Sequence, residues 1–187
     1  MTEENTQLYS QGAFVIPKGF IIGDSAGGGD CFFDSVAQGM NQLCIPGRPF
    51  NVKSLRGALH DYAEGNQNSV YDSQTGITLS KAIEDAAAAG ICSSGGGNEY
   101  TDFASYLVHI QLTAAERDVL NLGAAMWGRP EIEWGMLCLI YRIKLHFIEK
   151  FHACEQNLIS HQLLDSSGST SIDENASCYN DPLKIHS

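Results

Sequence analysis

Between residues 32 and 43 the apolar positions Phe33, Val36, Ala37 and Met40 fall on one side of a 3.6-residue repeat, with Asp34, Gln38 and Asn41 opposite. That spacing predicts an amphipathic helix. Asn51 is a suitable cap for a second helix reaching about Glu64, with Val52, Leu55, Leu59 and Tyr62 inward and Lys53, Arg56 and Asp61 outward. An alanine-rich helix follows from Leu79 to Ala89 and stops at Gly90. Thr101 heads a helix to about Ile110, and Thr113 with Glu116 makes a capping box for the next. Pro130 suits the first turn of another, in which Ile132, Met136, Leu139, Ile140 and Ile143 recur.

The period then changes from 3.6 to 2. Ile143, Leu145 and Phe147 alternate with Lys144 and His146, which predicts a strand. Leu158 to Leu164 is a second strand, Asp165 to Ser171 a turn, and Leu183 to Ile185 a last short strand. Near the start, Phe14 to Ile22 reads as extended, broken by Pro17 and Gly19. Loops are expected around Pro46 to Pro49, over Gly65 to Gly76, and at Ser93 to Asn98. No internal repeat is visible. The pattern predicts a mixed α/β (α+β) fold, with a central sheet built mainly from the C-terminal part and packed between helices. A polar segment, 1–12, precedes a single domain, 13–187.

Composition narrows the function. The chain has 187 residues, 22 acidic against 11 basic, for a net charge of −11. A nucleic-acid binder needs a basic footprint, so the charge argues against that class. The longest aliphatic or sulfur-containing run, Met136 to Ile140, is far below the roughly 20 residues of a membrane span. The opening Thr2, Glu3, Glu4, Asn5 lacks the basic and apolar regions of a secretory signal. The cysteines at 31, 44, 92, 138, 154 and 178 lie far apart, with no Cys-x-x-Cys pair. They read as reduced thiols in a cytosolic compartment, most of them small core residues.

One cysteine stands apart. Gly27, Gly28, Gly29, Asp30 and Cys31 lead directly into the first helix. A thiol in the first helical turn sits near the positive end of the macrodipole, which favours the nucleophilic thiolate. The glycines permit a tight turn that exposes successive N–H donors, suited to an oxyanion. A cysteine beside Phe32 and Phe33 can equally be a core residue, and spacing alone does not separate the two. A phosphate loop would need the GxxxxGK[ST] pattern, which is missing.

The stretch GGGDCFFDSVAQGMNQ resembles the signature of ovarian-tumour-type (OTU) cysteine proteases. There, Asp-Gly-Asn/Asp-Cys precedes an aromatic-rich helix. WGRPEIEWGMLCLIYRIKLHFIE resembles the second block of the same family, and the wording is closest to OTU-like proteins of intracellular bacteria. The resemblance spans roughly residues 20 to 187. It implies a papain-like α/β fold and cleavage of ubiquitin, or a ubiquitin-like modifier, from lysine. It makes Cys31 the nucleophile and the backbone of Gly28, Gly29 and Asp30 the lining of the oxyanion hole. Trp127, Gly128 and Glu133 match structural positions of the second block, Trp127 as core or loop packing. The family's first motif aspartate is Gly28 here; Asp24 is the nearest acidic substitute, although it reads better as an ordinary loop aspartate. The implied setting is the cytosol, including that of a host cell entered as a bacterial effector.

The general-base histidine of the family lies on a C-terminal strand and is followed by an aromatic residue. The one such pair here, His146-Phe147, comes too early, so the expected base lies beyond Ser187, with His186 as the in-chain fallback. His60 and His109 read as surface or satisfied core positions, and His161 as structural. The alternative function is a catalytically impaired, ubiquitin-binding pseudoenzyme or truncated fragment without that histidine. His152, Cys154, His161 and Cys178 match no standard zinc spacing, so neither metal nor cofactor is expected. Limited alkylation at neutral pH with peptide mapping should label Cys31 ahead of the other five thiols. Preferential labelling of Cys44 or Cys138 would contradict the nucleophile reading.

Overall fold

The backbone order follows from local capping. In the computed structural model, residues 6–9, 14–17, 24–43, 49–89, 100–123, 125–153, 156–165, 168–171 and 184–186 are described. Helix α1, Cys31–Gln42, buries Phe32, Phe33, Val36, Ala37 and Met40, the face expected of it. Helix α2, Val52–Asn66, begins where Asn51 accepts from the Ser54 N–H and the Ser54 hydroxyl meets the Asn51 N–H in return. Helix α3, Leu79–Ala88, is capped by the Thr78 hydroxyl. Helix α4, Phe103–Ile110, is capped by Asp102 rather than Thr101, because the Asp102 carboxylate accepts from the Ser105 N–H at 2.7 Å. The box of Thr113 and Glu116 opens α5, Ala114–Val119, as expected.

The helix expected from Pro130 divides in two. Pro130–Trp134 forms a π-helical turn, in which the Trp134 N–H reaches back five residues to the Arg129 carbonyl. Helix α6, Gly135–Tyr141, follows and ends at Arg142, whose left-handed φ of 53° turns the chain out of the helix. Ile143 is therefore buried beyond the helix rather than on it.

Four strands form the main sheet, in the order β7-β6-β5-β8. β5, Lys144–Ala153, and β6, Gln156–Asp165, make a long antiparallel hairpin, with Leu145 opposite Leu164. β7, Gly168–Ser171, continues it where a turn was expected. β8, Lys184–His186, pairs in parallel with the far side of β5, bringing Ile185 beside Leu145 and His186 beside His146. β8 also lies against α1, and α6 against β6. Two small hairpins stand apart from this sheet. β1, Thr6–Tyr9, pairs with β2, Phe14–Pro17, so part of the segment expected to precede the domain is paired strand. β3, Val70–Asp72, within the expected loop, pairs with β4, Ile77–Thr78, just beyond it. Its turn is built by Asp72, whose carboxylate accepts from the Thr75 hydroxyl and the Gln74 N–H. The loops at 46–48 and 93–98 lie outside the described residues, as do Cys44, Cys92, Cys154 and Cys178.

The core joins α1, α2, α3, α4 and α6 through Phe33, Met40, Leu55, Leu59, Ile83, Ile110 and Met136. Cys138 is buried within it. No helix among the described residues is long and apolar enough to cross a membrane.

A buried ion pair braces this core from the second half of the chain. Glu133 is fully buried, and its carboxylate accepts from the Arg129 backbone N–H at 2.9 Å and Nε at 2.8 Å. Arg129 Nη2 meets the other oxygen, and Nη1 meets the Tyr100 hydroxyl. Burial works against the Arg129 charge, but Glu133 outweighs it and holds the guanidinium protonated beyond the ordinary arginine range. Glu133→Ala would strand that charge in the core and should cost about 3–5 kcal/mol in urea denaturation. Removing the exposed Lys81–Asp85 pair with Lys81→Ala should cost under ~0.5 kcal/mol. Equal losses would show that the buried pair contributes nothing special.

Candidate active site

The loop before α1 is fixed by its carbonyls. Gly28 (φ 70°) presents its carbonyl to the Ala125 N–H at 2.7 Å. Gly29 (φ 98°) presents its own to Arg56 Nη2 at 3.2 Å. A trans peptide points its N–H opposite to its C=O, so each carbonyl contact aims the following N–H the other way. The Asp30 N–H turns back to the Gly27 carbonyl at 3.3 Å. Among the described residues, the N–H groups of Gly28, Gly29 and Cys31 meet no acceptor. They are the N–H groups that the loop itself leaves unfilled. Of the three backbone groups expected to line an oxyanion hole, Asp30's is thus engaged within the loop, and Cys31's is an additional donor.

Asp30 occupies the N-cap of α1, yet its side chain makes no cap hydrogen bond. Its carboxylate instead turns inward. One oxygen accepts from Arg56, at 2.9 Å from Nε and 2.7 Å from Nη2, and the other accepts from the Ala114 N–H at 2.8 Å. The first turn of α1 keeps its donors as a result. Cys31, the first residue of that helix, is a half-buried free thiol.

Arg56 was expected to face outward on α2. It is instead fully buried, with Nη2 also donating to the Met126 carbonyl at 2.7 Å and Nη1 to that of Ile110 at 3.3 Å. Its guanidinium lies 4.0 Å from the centroid of Phe33. Periodicity could not show this, because Arg56 borders the apolar stripe of α2 and its partners lie far away in sequence.

Acidic ordering of the loop comes from Asp34 rather than Asp24. Asp34 Oδ2 accepts from the Ala26 N–H at 2.9 Å and from Gln38 Nε2 at 3.0 Å, while Asp24 offers Gln38 only its carbonyl. On the other side, buried Arg117 donates to the carbonyls of Leu122 (2.6 Å) and Gly123 (3.4 Å), just before Ala125. It also donates to His109 Nδ1 at 2.9 Å, which keeps that imidazole neutral with its proton on Nε2. Burial, and then the Arg117 charge, lower the His109 pKa.

The second sequence block closes the site from behind. Phe32 stacks on Trp134 with centroids 4.8 Å apart, and its ring lies so close to Gly128 that a Cβ there would fall 2.0 Å from it. Trp127 was expected to pack into core or loop, but about half of its surface is exposed. His186 lies on β8 in register with His146. His60 is half-buried beside Asp61. Among the described residues, no three His, Cys, Asp or Glu are placed to hold a metal.

No family model and no curated protein matches the sequence. Two solved structures are similar to the chain, both of an OTU deubiquitinase from Wolbachia pipientis wMel, one of them bound to ubiquitin. Each has 27% identity over 91% of this chain and a TM-score of 0.60. The match covers 89% of the neighbour in the ubiquitin complex and 82% in the other. The chain has an OTU-type α+β fold. Within that fold, the second block lies against the helix of Cys31, with Gly128 beside the Phe32 ring and Trp134 stacked on it.

Gly29 is the position that tolerates least. A Cβ there would lie 2.0 Å from the Ala125 carbonyl oxygen. Gly29→Ala should cost more than ~2 kcal/mol in stability, combining overpacking and left-handed strain, and should slow Cys31 alkylation. Gly27→Ala, with open space at its Cβ, is the control. Matching unfolding curves for the two variants would contradict this account of the loop.

Proposed function

We propose that the chain is a thiol isopeptidase that removes ubiquitin, or a ubiquitin-like modifier, from lysine. The observation that carries it is Cys31 at the uncapped N-terminus of α1, behind a loop with unfilled N–H donors, in an OTU-type fold. The Wolbachia neighbour bound to ubiquitin supports the choice of partner.

In this reading the Cys31 thiolate attacks the carbonyl carbon of the modifier's C-terminal glycine, forming a C–S bond. The oxyanion accepts from the N–H groups of Gly29 and Cys31, with Gly28 adjacent. Collapse breaks the C–N bond, and a protonated imidazole gives its proton to the departing lysine amine. Water, deprotonated by the same imidazole, then hydrolyses the thioester and frees the thiol. His186 is the in-chain candidate for that base, supported by the contact of its strand with α1.

One observation favours a second reading, a modifier-binding module with impaired turnover. Register partners in a parallel pair share a sheet face, and Leu145, beside Ile185, enters the core. Position 186 then belongs with 146 to the opposite face.

Two measurements separate these. An electrophilic ubiquitin probe should label the chain at Cys31, and Cys31→Ala should abolish labelling. A fluorogenic ubiquitin substrate should be turned over, and His186→Ala should lower kcat about 10²–10⁴-fold in folded protein. Tight ubiquitin binding without turnover supports the binding module. Neither binding nor labelling would sink both readings.

A further inference from the structure

The buried cation beside the nucleophile has no role in the chemistry above. Arg56 comes from α2, 25 residues after Cys31, and has no exposed surface. Burying a guanidinium is costly unless nearly every donor is met. Here the acceptors come from Asp30, Gly29, Ile110 and Met126, with the face of Phe33 completing the surround.

Two of those contacts bear on reactivity. The hold on the Gly29 carbonyl fixes the peptide between Gly29 and Asp30, and so the turn that presents the Gly29 and Cys31 N–H groups. The hold on the Asp30 carboxylate matters more. An aspartate at an N-cap ordinarily accepts from amides of the first helical turn. Those amides are the donors that would stabilise a Cys31 thiolate, and an anion among them would oppose a second. Arg56, helped by the Ala114 N–H, draws that carboxylate away.

We infer that Arg56 is a positioning residue for Cys31, keeping Asp30 off the helix N-terminus and the loop donors aimed at the substrate oxygen. It touches neither substrate nor the reacting sulfur, and acts through Asp30 and Gly29. The role in turnover rests on the isopeptidase reading, whereas the role in thiol reactivity does not.

Arg56→Lys keeps the positive charge but loses the planar fork that meets several acceptors at once. The full chain carrying it should remain folded by circular dichroism. Its Cys31 should react with iodoacetamide at neutral pH at least ~10-fold more slowly than wild type. On the fluorogenic ubiquitin substrate kcat should fall at least ~10-fold, with KM within about twofold, because the modifier-binding surface is untouched. A folded variant whose alkylation rate and kcat stay within about twofold of wild type overturns the inference and leaves the isopeptidase reading standing. A wild-type chain inert to ubiquitin removes that reading, and Arg56 is then judged on iodoacetamide alone. Should Arg56→Lys not fold, Arg56→Gln is read by the same two rates, with the same expected losses. If neither folds, Arg56 is a folding determinant and the positioning role is abandoned.

Discussion

Everything near the candidate nucleophile depends on a charge that has no access to water. The Arg56 guanidinium is fully buried, and its ion pair with Asp30 sits at the junction of four chain segments. Those segments are the glycine loop, α2, the end of α4 and the stretch through Met126. A buried pair of this kind is weak evidence for net stability, since desolvation offsets much of the attraction. Its value is geometric. Each donor accepts only a narrow range of positions, so segments distant in sequence are fixed relative to one another.

A second buried pair repeats the principle on the far side of Phe32. Arg129 and Glu133 join across one π-helical turn, with Tyr100 on the outer nitrogen. Trp134, the last residue of that turn, stacks on Phe32. Tyr106, buried nearby, is kept protonated far above its ordinary range, by burial first and then by the Glu133 charge. The helix of Cys31 is thereby gripped by an ion pair on each flank, one through Phe33 and one through Trp134.

Much of this was legible in the sequence. The apolar faces of α1 and α2, the caps at Asn51 and Thr113, the two long strands and the short last one follow from spacing and side-chain chemistry alone. The place of Cys31 at the head of α1 was legible because glycines, cysteine and helix are contiguous. The features that stayed hidden depend on distant partners. Arg56 borders an apolar stripe, where a charge normally faces solvent, and only Asp30, 26 positions away, reverses that. The hairpin around Asp72 is too short for strand periodicity, although Asp72 followed by Gly76 at φ 71° is the chemistry of a turn. The stop of α6 rests on a left-handed arginine, a conformation composition does not announce.

The contact between Phe32 and Gly128 carries a consequence for how such a chain can diverge. Phe32, the residue after Cys31, and Gly128 of the second block are a lock and its keyway, 96 positions apart. A larger residue at 128 is admissible only after the ring at 32 has shrunk or moved, and shrinking that ring removes its stack on Trp134. The three sites must therefore be inherited as a coupled set. The order in which substitutions arise then decides which lineages keep a working cysteine loop.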